Sequence, residues 1–207
     1  MPRERYWSRF ASDFEERNNY VVGKDDMNLV FKEISRLKKL GSTLELASGN
    51  GTYSRILNKN SESLIATDFS IEMVEESKRR MPSSDSLTIE QADAFNLSYP
   101  DSSFDTLFLA NLLHVVSSPE KIIEEGKRVL KNGGQIIIVD FTMDGVSFFN
   151  KLSLIFRYLK TYGKPSKEGQ NLTLSNIEEM LIESKFNIRD ARLIGNDMKA
   201  VLVIAEK

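Results

Sequence analysis

A short loop with two glycines, set between an apolar run and a helix-like stretch, constrains the fold of this chain more than any other feature. The apolar run covers residues 43–46, the loop holds Gly49 and Gly51, and the helix-like stretch covers residues 54–60. A strand that breaks into glycines and restarts as a helix brings backbone N–H groups close to a ligand. Glycine lacks a Cβ and tolerates positive φ, so the main chain can turn tightly beneath a nucleotide.

Two carboxylates and a serine refine this prediction of the ligand. A second apolar run, residues 64–67, ends in Asp68, at the position where a ribose diol would be held. Glu45 lies inside the first strand, where it would not help to bind a pyrophosphate but would suit a cationic ligand. Ser54 replaces the third glycine that dinucleotide folds use for close helix–strand packing. The sequence favours a sulfonium nucleoside, with NAD and a bare strand–turn–helix as alternatives.

These motifs resemble those of class I S-adenosylmethionine-dependent methyltransferases, in particular the subgroup of ubiquinone/menaquinone-biosynthesis and small-molecule methyltransferases. The resemblance is strong over residues 40–140 and weaker in the tail. It is carried by segments 45–51 (ELASGNG), 66–70 (ATDFS), 91–94 (QADA), 99–105 (YPDSSFD) and 128–134 (RVLKNGG). Ala47 stands where the family has its first motif I glycine, and we expect this small residue to be tolerated.

The resemblance implies S-adenosyl-L-methionine as the cofactor. It implies that Asp93 accepts from the adenine amino group while the N–H of Ala94 donates to a ring nitrogen, a pairing that identifies adenine by its edge. A solvated turn aspartate is the alternative for Asp93, and Met73 also falls at a helix-core position. The predicted cofactor-binding residues are Glu45, Ala47, Gly49, Gly51, Asp68, Phe69, Met73, Asp93, Ala94 and Asn111.

Asn111 and the sole histidine, His114, follow the fourth predicted strand. Open α/β sheets bind ligands at the carboxyl ends of their strands, so both residues are expected to face the cofactor and the methyl acceptor. His114 is the predicted catalytic base for a hydroxyl, thiol or amine, because its unperturbed pKa lies near neutrality. A structural histidine, satisfied by backbone or water, is the alternative. No Asn-Pro-Pro-aromatic sequence follows this strand, which argues against DNA bases or glutamine as acceptors.

Composition agrees with one enzyme domain and argues against several kinds of site and partner. The 207 residues leave room for one α/β domain with a substantial core. The chain has no cysteine and one histidine, so we expect no disulfide, thiol catalysis or metal site. A net charge of −2 gives no basic field for binding nucleic acid. No apolar run reaches the roughly 18 residues of a transmembrane segment. No signal peptide is apparent, and we expect a cytoplasmic location.

Alternating helical and strand patterns predict an α/β fold, a Rossmann-like three-layer αβα sandwich with a mostly parallel seven-stranded sheet. Later strands are predicted at residues 87–90, 104–110, 136–139, 187–194 and 200–205. A hairpin-type turn at 195–197 predicts an antiparallel last strand. The strand order comes from the resemblance and not from spacing. Helix starts are predicted at Asp25 or Asp26, Ser70, Ser118-Pro119, and a capping box of Ser175 and Glu178.

Two segments are predicted to enclose the methyl acceptor within a single domain, residues 1–207. They are an N-terminal helical lid at about 1–40 and an inserted apolar helix at about 146–162. Tyr20, Phe149 and Phe156 are the predicted acceptor contacts, in a wall closed by N-terminal aromatics. A helix packed on the sheet edge, a dimer interface and a peripheral membrane contact are the alternatives for this helix.

The predicted activity is transfer of a methyl group from S-adenosylmethionine to a small, apolar or amphiphilic molecule by in-line displacement. A protein that binds the nucleoside cofactor without catalysis and an NAD-dependent oxidoreductase are the alternatives. We expect a monomer or homodimer whose partner is the small-molecule acceptor.

Overall fold

The computed structural model describes residues 4–82, 84–164 and 169–207. At its centre lies one seven-stranded sheet with the strand order β3-β2-β1-β4-β5-β7-β6. The strands are β1 (Ser42–Leu46), β2 (Ser63–Asp68), β3 (Leu87–Gln91), β4 (Phe104–Ala110), β5 (Leu130–Thr142), β6 (Asn187–Ile194) and β7 (Lys199–Glu206). The helices are α1 (Glu4–Ser8), α2 (Phe14–Val22), α3 (Lys24–Ser35), α4 (Ser54–Leu57), α5 (Ile71–Arg80), α6 (Pro119–Val129), α7 (Phe148–Tyr162) and α8 (Leu174–Glu183).

The central strands are buried on both faces, as their apolar runs predict. In β4, Leu107 and Leu109 pack in the cluster that includes residues of α6 and α8. Phe108 and Ala110 point the other way, into the cluster that includes residues of α3 and α4. Because successive side chains of a strand point to opposite faces, this alternation separates two helical layers by one sheet. The predicted α/β Rossmann-like sandwich is confirmed.

The directions of the strands bring several carboxyl ends to one edge of the sheet. β1 is parallel to β2 and β4, β2 to β3, and β4 to β5. β7 runs antiparallel to both of its neighbours, β5 and β6. The predicted antiparallel last strand is therefore confirmed. The carboxyl ends of β1, β2, β4 and β5 form the edge at which an open α/β sheet binds its ligands.

The predicted N-cap of α3 is wrong. The helix begins directly after Gly23, so both Asp25 and Asp26 lie in its first turn. The Asp26 carboxylate instead accepts hydrogen bonds from the backbone N–H groups of Asn196 and Met198, at 2.7 and 2.8 Å. It thereby fastens the turn between β6 and β7 to the helical layer.

The capping box of α8 uses a neighbouring pair of residues. Thr173 accepts from the N–H of Asn176, whose side chain accepts from the N–H of Thr173. The predicted capping box of Ser175 and Glu178 is therefore wrong: the helix begins two residues earlier, and Thr173 and Asn176 form the box. Ser70 caps α5 as predicted, because its Oγ accepts from the backbone of the third helical residue at 3.2 Å.

The N-terminal segment, helices α1 and α2 with the residues between them, contacts both the glycine loop and α7. The Asn50 side chain donates to the carbonyl of Ala11 at 3.1 Å, and the Tyr162 hydroxyl of α7 donates to Asn18 at 2.7 Å. Residues 1–3 of the predicted lid lie outside the described residues. No helix in the described part of the chain is long and apolar enough to cross a membrane.

Candidate functional site

The loop between β1 and α4 has the backbone geometry that its glycines predict. Gly49 and Gly51 have φ values of +57° and +82°. A Cβ on Gly51 would lie 2.7 Å from the Oγ of Ser77, so the approach of the loop to α5 also requires glycine. Ala47 is left-handed as well, with φ of +55°. A left-handed conformation costs an alanine about 1–2 kcal/mol relative to a right-handed one. This cost explains why glycine is the usual residue at this position in the family that the motif resembles.

Glu45 is buried beneath this loop with one carboxylate oxygen unpaired. Its Oε2 accepts from the Oγ of Ser54 at 2.5 Å, whereas Oε1 has no hydrogen-bond partner among the described residues. Burial raises the pKa of Glu45 to about 8; the bond from Ser54 opposes this shift and the nearby charge of Asp68 adds to it. A cationic ligand group would pair the free oxygen and favour the ionised carboxylate. The serine that replaces the third glycine therefore positions this acid.

Asp68 at the end of β2 fastens the glycine loop. Its two oxygens accept from the N–H groups of Gly49 and Ser70, each at 2.8 Å. Burial raises the pKa of Asp68, although its backbone hydrogen bonds act in the opposite direction. A carboxylate has about four acceptor sites, so both oxygens can still receive a ligand hydroxyl. The position fits the predicted ribose contact.

The predicted adenine contacts lie around the neighbouring strand ends. Asp93 follows β3 and accepts from the N–H of Phe95 at 2.9 Å, a self-contained turn that a purely structural aspartate would also make. Ala94 is half-buried beside it. Phe69 is 42% exposed, whereas Met73 is buried. The exposed ring of Phe69 therefore lies next to Asp68, the predicted ribose contact, whereas Met73 lies in the core. The roles of Asp93, Ala94, Phe69 and Met73 in binding adenine stay predictions.

Asn111 follows β4 in a left-handed conformation and contacts a buried phenol. Its φ is +55°, and its Nδ2 donates to the hydroxyl of Tyr53 at 3.3 Å. Its Oδ1 has no partner among the residues described. Burial raises the pKa of Tyr53, the bond from Asn111 opposes this, and the charges of Asp140 and Glu45 add to it. Tyr53 was not singled out from the sequence, where an aromatic in a glycine loop is its only signal.

His114 pairs with a buried carboxylate at the same edge of the sheet. It lies in a 3-10 turn, Leu113–Val115, and its Nδ1 contacts Oδ1 of Asp140 in β5. Oδ2 of Asp140 accepts from the N–H groups of Leu113 and His114, at 2.9 and 3.3 Å. The imidazole remains 29% exposed, whereas the Asp140 side chain is 2% exposed. Sequence reasoning missed Asp140, although a carboxylate near the end of a central strand is the same signal that identified Asp68.

The Asp140 contact determines both the pKa and the tautomer of His114. Burial acts to lower the pKa of the imidazole, but the charge and hydrogen bond of Asp140 outweigh it, and the pKa is raised above 6.5. In the neutral imidazole, the hydrogen on Nδ1 is donated to the carboxylate, so Nε2 carries the free lone pair. The geometry therefore suits a general base whose orientation is fixed by an acid.

Aromatic side chains from the N-terminal segment lie between the glycine loop and α7. The ring centroid of Trp7 is 5.9 Å from that of Phe14 and 5.5 Å from that of Tyr162. The Phe14 ring is 3.7 Å from the position that a Cβ on Gly49 would take. These rings, together with Tyr6 and Phe10, form an apolar cluster beside the candidate cofactor loop.

The predicted wall of Phe149 and Phe156 does not face this cluster. The two side chains are 81% and 68% exposed, and the N-terminal aromatics pack against the opposite face of α7, through Tyr162. Tyr20 is also exposed and lies 5.7 Å from the Nζ of Lys160. The structure therefore does not bring Phe149 and Phe156 together with the N-terminal rings, and the role of these two residues and of Tyr20 as acceptor contacts stays a prediction.

Comparison with known proteins gives the family. The family described as "Methyltransferase domain" matches residues 44–138, the part that holds the glycine loop and the carboxyl ends of β1, β2, β3 and β4. The uncharacterized protein MJ1123 of Methanocaldococcus jannaschii is 31% identical over 199 residues, which cover 96% of this chain and 87% of that protein. The chain belongs to the class I S-adenosylmethionine-dependent methyltransferases. The predicted family, enzyme class and cofactor are confirmed, and the NAD-dependent alternative is wrong.

Other methyltransferases match over different lengths. The demethylmenaquinone methyltransferase of Clavibacter sepedonicus is 39% identical over 99 residues, which cover 48% of this chain but only 40% of that protein. A crystal structure from Thermotoga maritima, described as a possible histamine N-methyltransferase, superimposes with a TM-score of 0.75 at 18% identity and covers 98% of both chains. This methyltransferase thus shares its whole fold with the Thermotoga protein, and its match to the Clavibacter enzyme is confined to less than half of that enzyme.

Proposed function

We propose that this methyltransferase transfers the methyl group of S-adenosylmethionine to a small, apolar or amphiphilic acceptor by in-line displacement. One observation supports it most: a buried, half-paired Glu45 and an oriented His114–Asp140 pair lie at the same edge of the sheet. The first suits the cationic end of the cofactor, and the second suits removal of a proton from an acceptor. When bound, the cofactor supplies a methyl group activated by its positively charged sulfur.

We assign the cofactor contacts by the positions of the residues at this edge. Glu45 would hold the cofactor's ammonium group and Asp68 the ribose hydroxyls, while Asn111, after β4 on the other side of β1, would contribute a further polar contact. Ala47, Gly49 and Gly51 let the backbone approach closely, because all three are left-handed. The adenine would be bound by Asp93, Ala94 and Phe69, with Met73 packed behind.

The acceptor side is assigned to His114 and to the aromatic cluster. Nε2 of His114 would take the proton of the acceptor while Asp140 holds the ring and stabilises its protonated form. The rings of Trp7, Phe14 and Tyr162 would exclude water from the reacting atoms, which favours an apolar acceptor. The relative from Clavibacter is named for such a small-molecule acceptor, demethylmenaquinone.

We further propose that helices α1 and α2 act as a lid. Glu15 of α2 pairs with Arg55 in α4 and with Arg80 in α5, on either side of the glycine loop. These ion pairs, together with the contact of Phe14 with the glycine loop, support a lid formed by the N-terminal segment. Such exposed pairs contribute little energy each, so the segment can open for cofactor exchange.

The acceptor is identified by incubating the purified protein with methyl-labelled S-adenosylmethionine and a small-molecule cell extract. A labelled extract component, formed together with S-adenosylhomocysteine, would establish the proposed reaction and name its acceptor. Tight cofactor binding without any labelled component would instead favour the alternative of a cofactor-binding protein without catalysis.

Replacing Asp68 should weaken cofactor binding by about ten- to a hundredfold, because a hydrogen bond to a charged group contributes about 1.5–3 kcal/mol. Asp68→Ala is compared by calorimetry with Asp85→Ala, which removes an exposed carboxylate next to β3. Thermal unfolding checks that the glycine loop survives the loss of its two hydrogen bonds. Equal affinities in the two folded variants would remove Asp68 from the cofactor site.

Replacing Asp93 should reduce discrimination at the adenine edge. The parent is expected to prefer S-adenosylmethionine over an analogue in which a carbonyl replaces the exocyclic amine, because Asp93 can only accept a hydrogen bond when ionised. Asp93→Ala should bind the two compounds with more similar dissociation constants. If parent and variant discriminate equally, Asp93 is the structural turn residue that its bond to Phe95 also allows.

A further inference from the structure

One face of α7 carries an unusual concentration of exposed apolar side chains. Six of the ten exposed large hydrophobic residues in the described part of the chain lie on this helix: Phe148, Phe149, Leu152, Ile155, Phe156 and Leu159. Their spacing of three or four residues places them on one stripe that runs the length of the helix. We call this stripe the apolar face of α7. Apolar patches of this kind mark surfaces that meet a partner or a lipid phase.

The charges carried by α7 itself have a single sign, although the carboxylate of Asp197 lies beside the helix, where it accepts from Asn150 at 3.1 Å. Residues 145–164 contain Lys151, Arg157, Lys160 and Lys164 and no aspartate or glutamate, in a chain whose net charge is −2. Lys151 and Lys160 flank the apolar face on opposite sides of the helix. None of these four cations pairs with a carboxylate among the residues that the structure describes. The helix is therefore a local cationic surface on an otherwise weakly acidic protein.

The length of α7 decides how it can meet a bilayer. Its 15 residues give a helix about 22 Å long, which is shorter than the roughly 30 Å hydrocarbon core of a membrane. A helix with this apolar face and flanking lysines lies in the plane of the interface, with its rings among the acyl chains and its ammonium groups at the headgroups. The other face of α7, which carries Leu154 and Tyr158, packs in the cluster of N-terminal aromatics, and Tyr162 joins this cluster at the end of the helix.

We propose that the apolar face of α7 docks this protein onto the surface of a lipid bilayer that carries anionic headgroups. Charge complementarity selects this occupant over a second copy of the chain, because two copies joined through α7 would bring two cationic helices together. Tyr20, exposed beside Lys160, would extend the contact at headgroup depth. The inference does not depend on the proposed reaction, since docking requires neither cofactor nor acceptor.

Vesicle flotation of the full chain tests this proposal. The parent protein should float with vesicles of phosphatidylcholine mixed with phosphatidylglycerol, stay behind with phosphatidylcholine alone, and be released by high salt. The double variant Phe149→Ser/Phe156→Ser should bind the anionic vesicles at least roughly tenfold more weakly, because each ring contributes buried apolar area. Lys151→Glu/Lys160→Glu should bind more weakly still, since each lost cation costs roughly fivefold.

Matched controls separate α7 from general surface effects. Ile182→Ser removes a 61% exposed apolar side chain on α8, and Lys121→Glu reverses an exposed charge on α6; both should float like the parent. Unfolding midpoints confirm that every variant is folded. The proposal is overturned if the parent floats equally well, or not at all, with anionic and with pure phosphatidylcholine vesicles. It is likewise overturned if the Phe149→Ser/Phe156→Ser variant floats as well as the parent. It is also overturned if light scattering shows a parent dimer that this variant dissociates while the parent binds no vesicles.

Discussion

Raising the pH from about 4.5 to about 8 is expected to destabilise the cofactor-free protein, and the largest part of this effect is assigned to Glu45, beside Asp68 and His114, whose pKa values are also raised. The pKa of Glu45 is raised from 4.5 to about 8 by burial, so the folded protein holds one more proton than the unfolded chain between these values. Unfolding stability therefore falls as the pH rises through this window, by about 3–5 kcal/mol in all if each pKa unit contributes about 1.4 kcal/mol. Glu45→Gln cannot ionise, and it should remove this part of the pH dependence.

The same substitution should act on cofactor affinity with the opposite sign. At pH 8, Glu45→Gln should be more stable to urea than the parent, yet bind S-adenosylmethionine about ten- to a hundredfold more weakly, because it lacks the charge that holds a cation. Calorimetry in buffers of different ionisation enthalpy should also show proton release on cofactor binding to the parent near neutral pH, and none for the variant. Glu62→Gln, which changes an exposed carboxylate, is the control. Parallel pH profiles for parent and Glu45→Gln would contradict the buried acid.

The central strands could be predicted from the sequence because their burial on both faces requires a local run of apolar residues. The predicted strand at 104–110 coincides with β4, which is covered on both faces. Parallel strands covered on both faces are continuous apolar runs, and an apolar run is visible without knowledge of its neighbours. The strand order is not local in this sense, and it came from the resemblance to the methyltransferase family.

The errors arose where a polar side chain bonds to a distant part of the chain. Asp26 resembles an N-cap in sequence, but its carboxylate accepts from backbone amides of the β6–β7 turn. This turn lies far along the chain from α3, so the residues around Asp26 do not reveal the contact. The role of Asp140 could not be predicted from the sequence for a related reason. Asp140 follows an apolar run in β5, and only the fold shows that the turn holding His114 packs against it. Helices and strands are predicted from the period of their apolar residues, but a contact between two strand ends, such as that of His114 with Asp140, produces no such period.

Helix α7 shows a further limit, since its composition predicted an apolar helix but not the face that packs. Leu154, Tyr158 and Tyr162 are also largely apolar, like Phe149 and Phe156, so periodicity could not rank the two faces. The structure packs the first set on the N-terminal aromatics and exposes the second. The acceptor side of the proposed site is consequently moved from Phe149 and Phe156 to the aromatic cluster beside the glycine loop.

Removing the imidazole of His114 should lower turnover by roughly a hundred- to ten-thousandfold with an acceptor that must lose a proton, the range expected for a positioned general base. Cofactor affinity should change little, because the proposed contact of His114 is with the acceptor. His114→Gln is the sharper variant, since a glutamine amide can still donate to Asp140 but has no basic nitrogen. A base is indicated if both His114→Ala and His114→Gln lose kcat, whereas recovery of kcat in His114→Gln would leave His114 a positioning role.

The pH dependence of turnover then distinguishes the pair from a lone imidazole. A base acts in its neutral form, so kcat/KM should rise with pH through the pKa of His114, which Asp140 holds above 6.5 against the effect of burial. Asp140→Asn removes the negative charge while keeping an oxygen near the turn, and it should move this rise to lower pH. The variant should also turn over more slowly at every pH, because an amide no longer selects the tautomer with Nε2 free. An unmoved pH profile in a folded Asp140→Asn variant would mean that His114 is not the group whose ionisation limits the reaction.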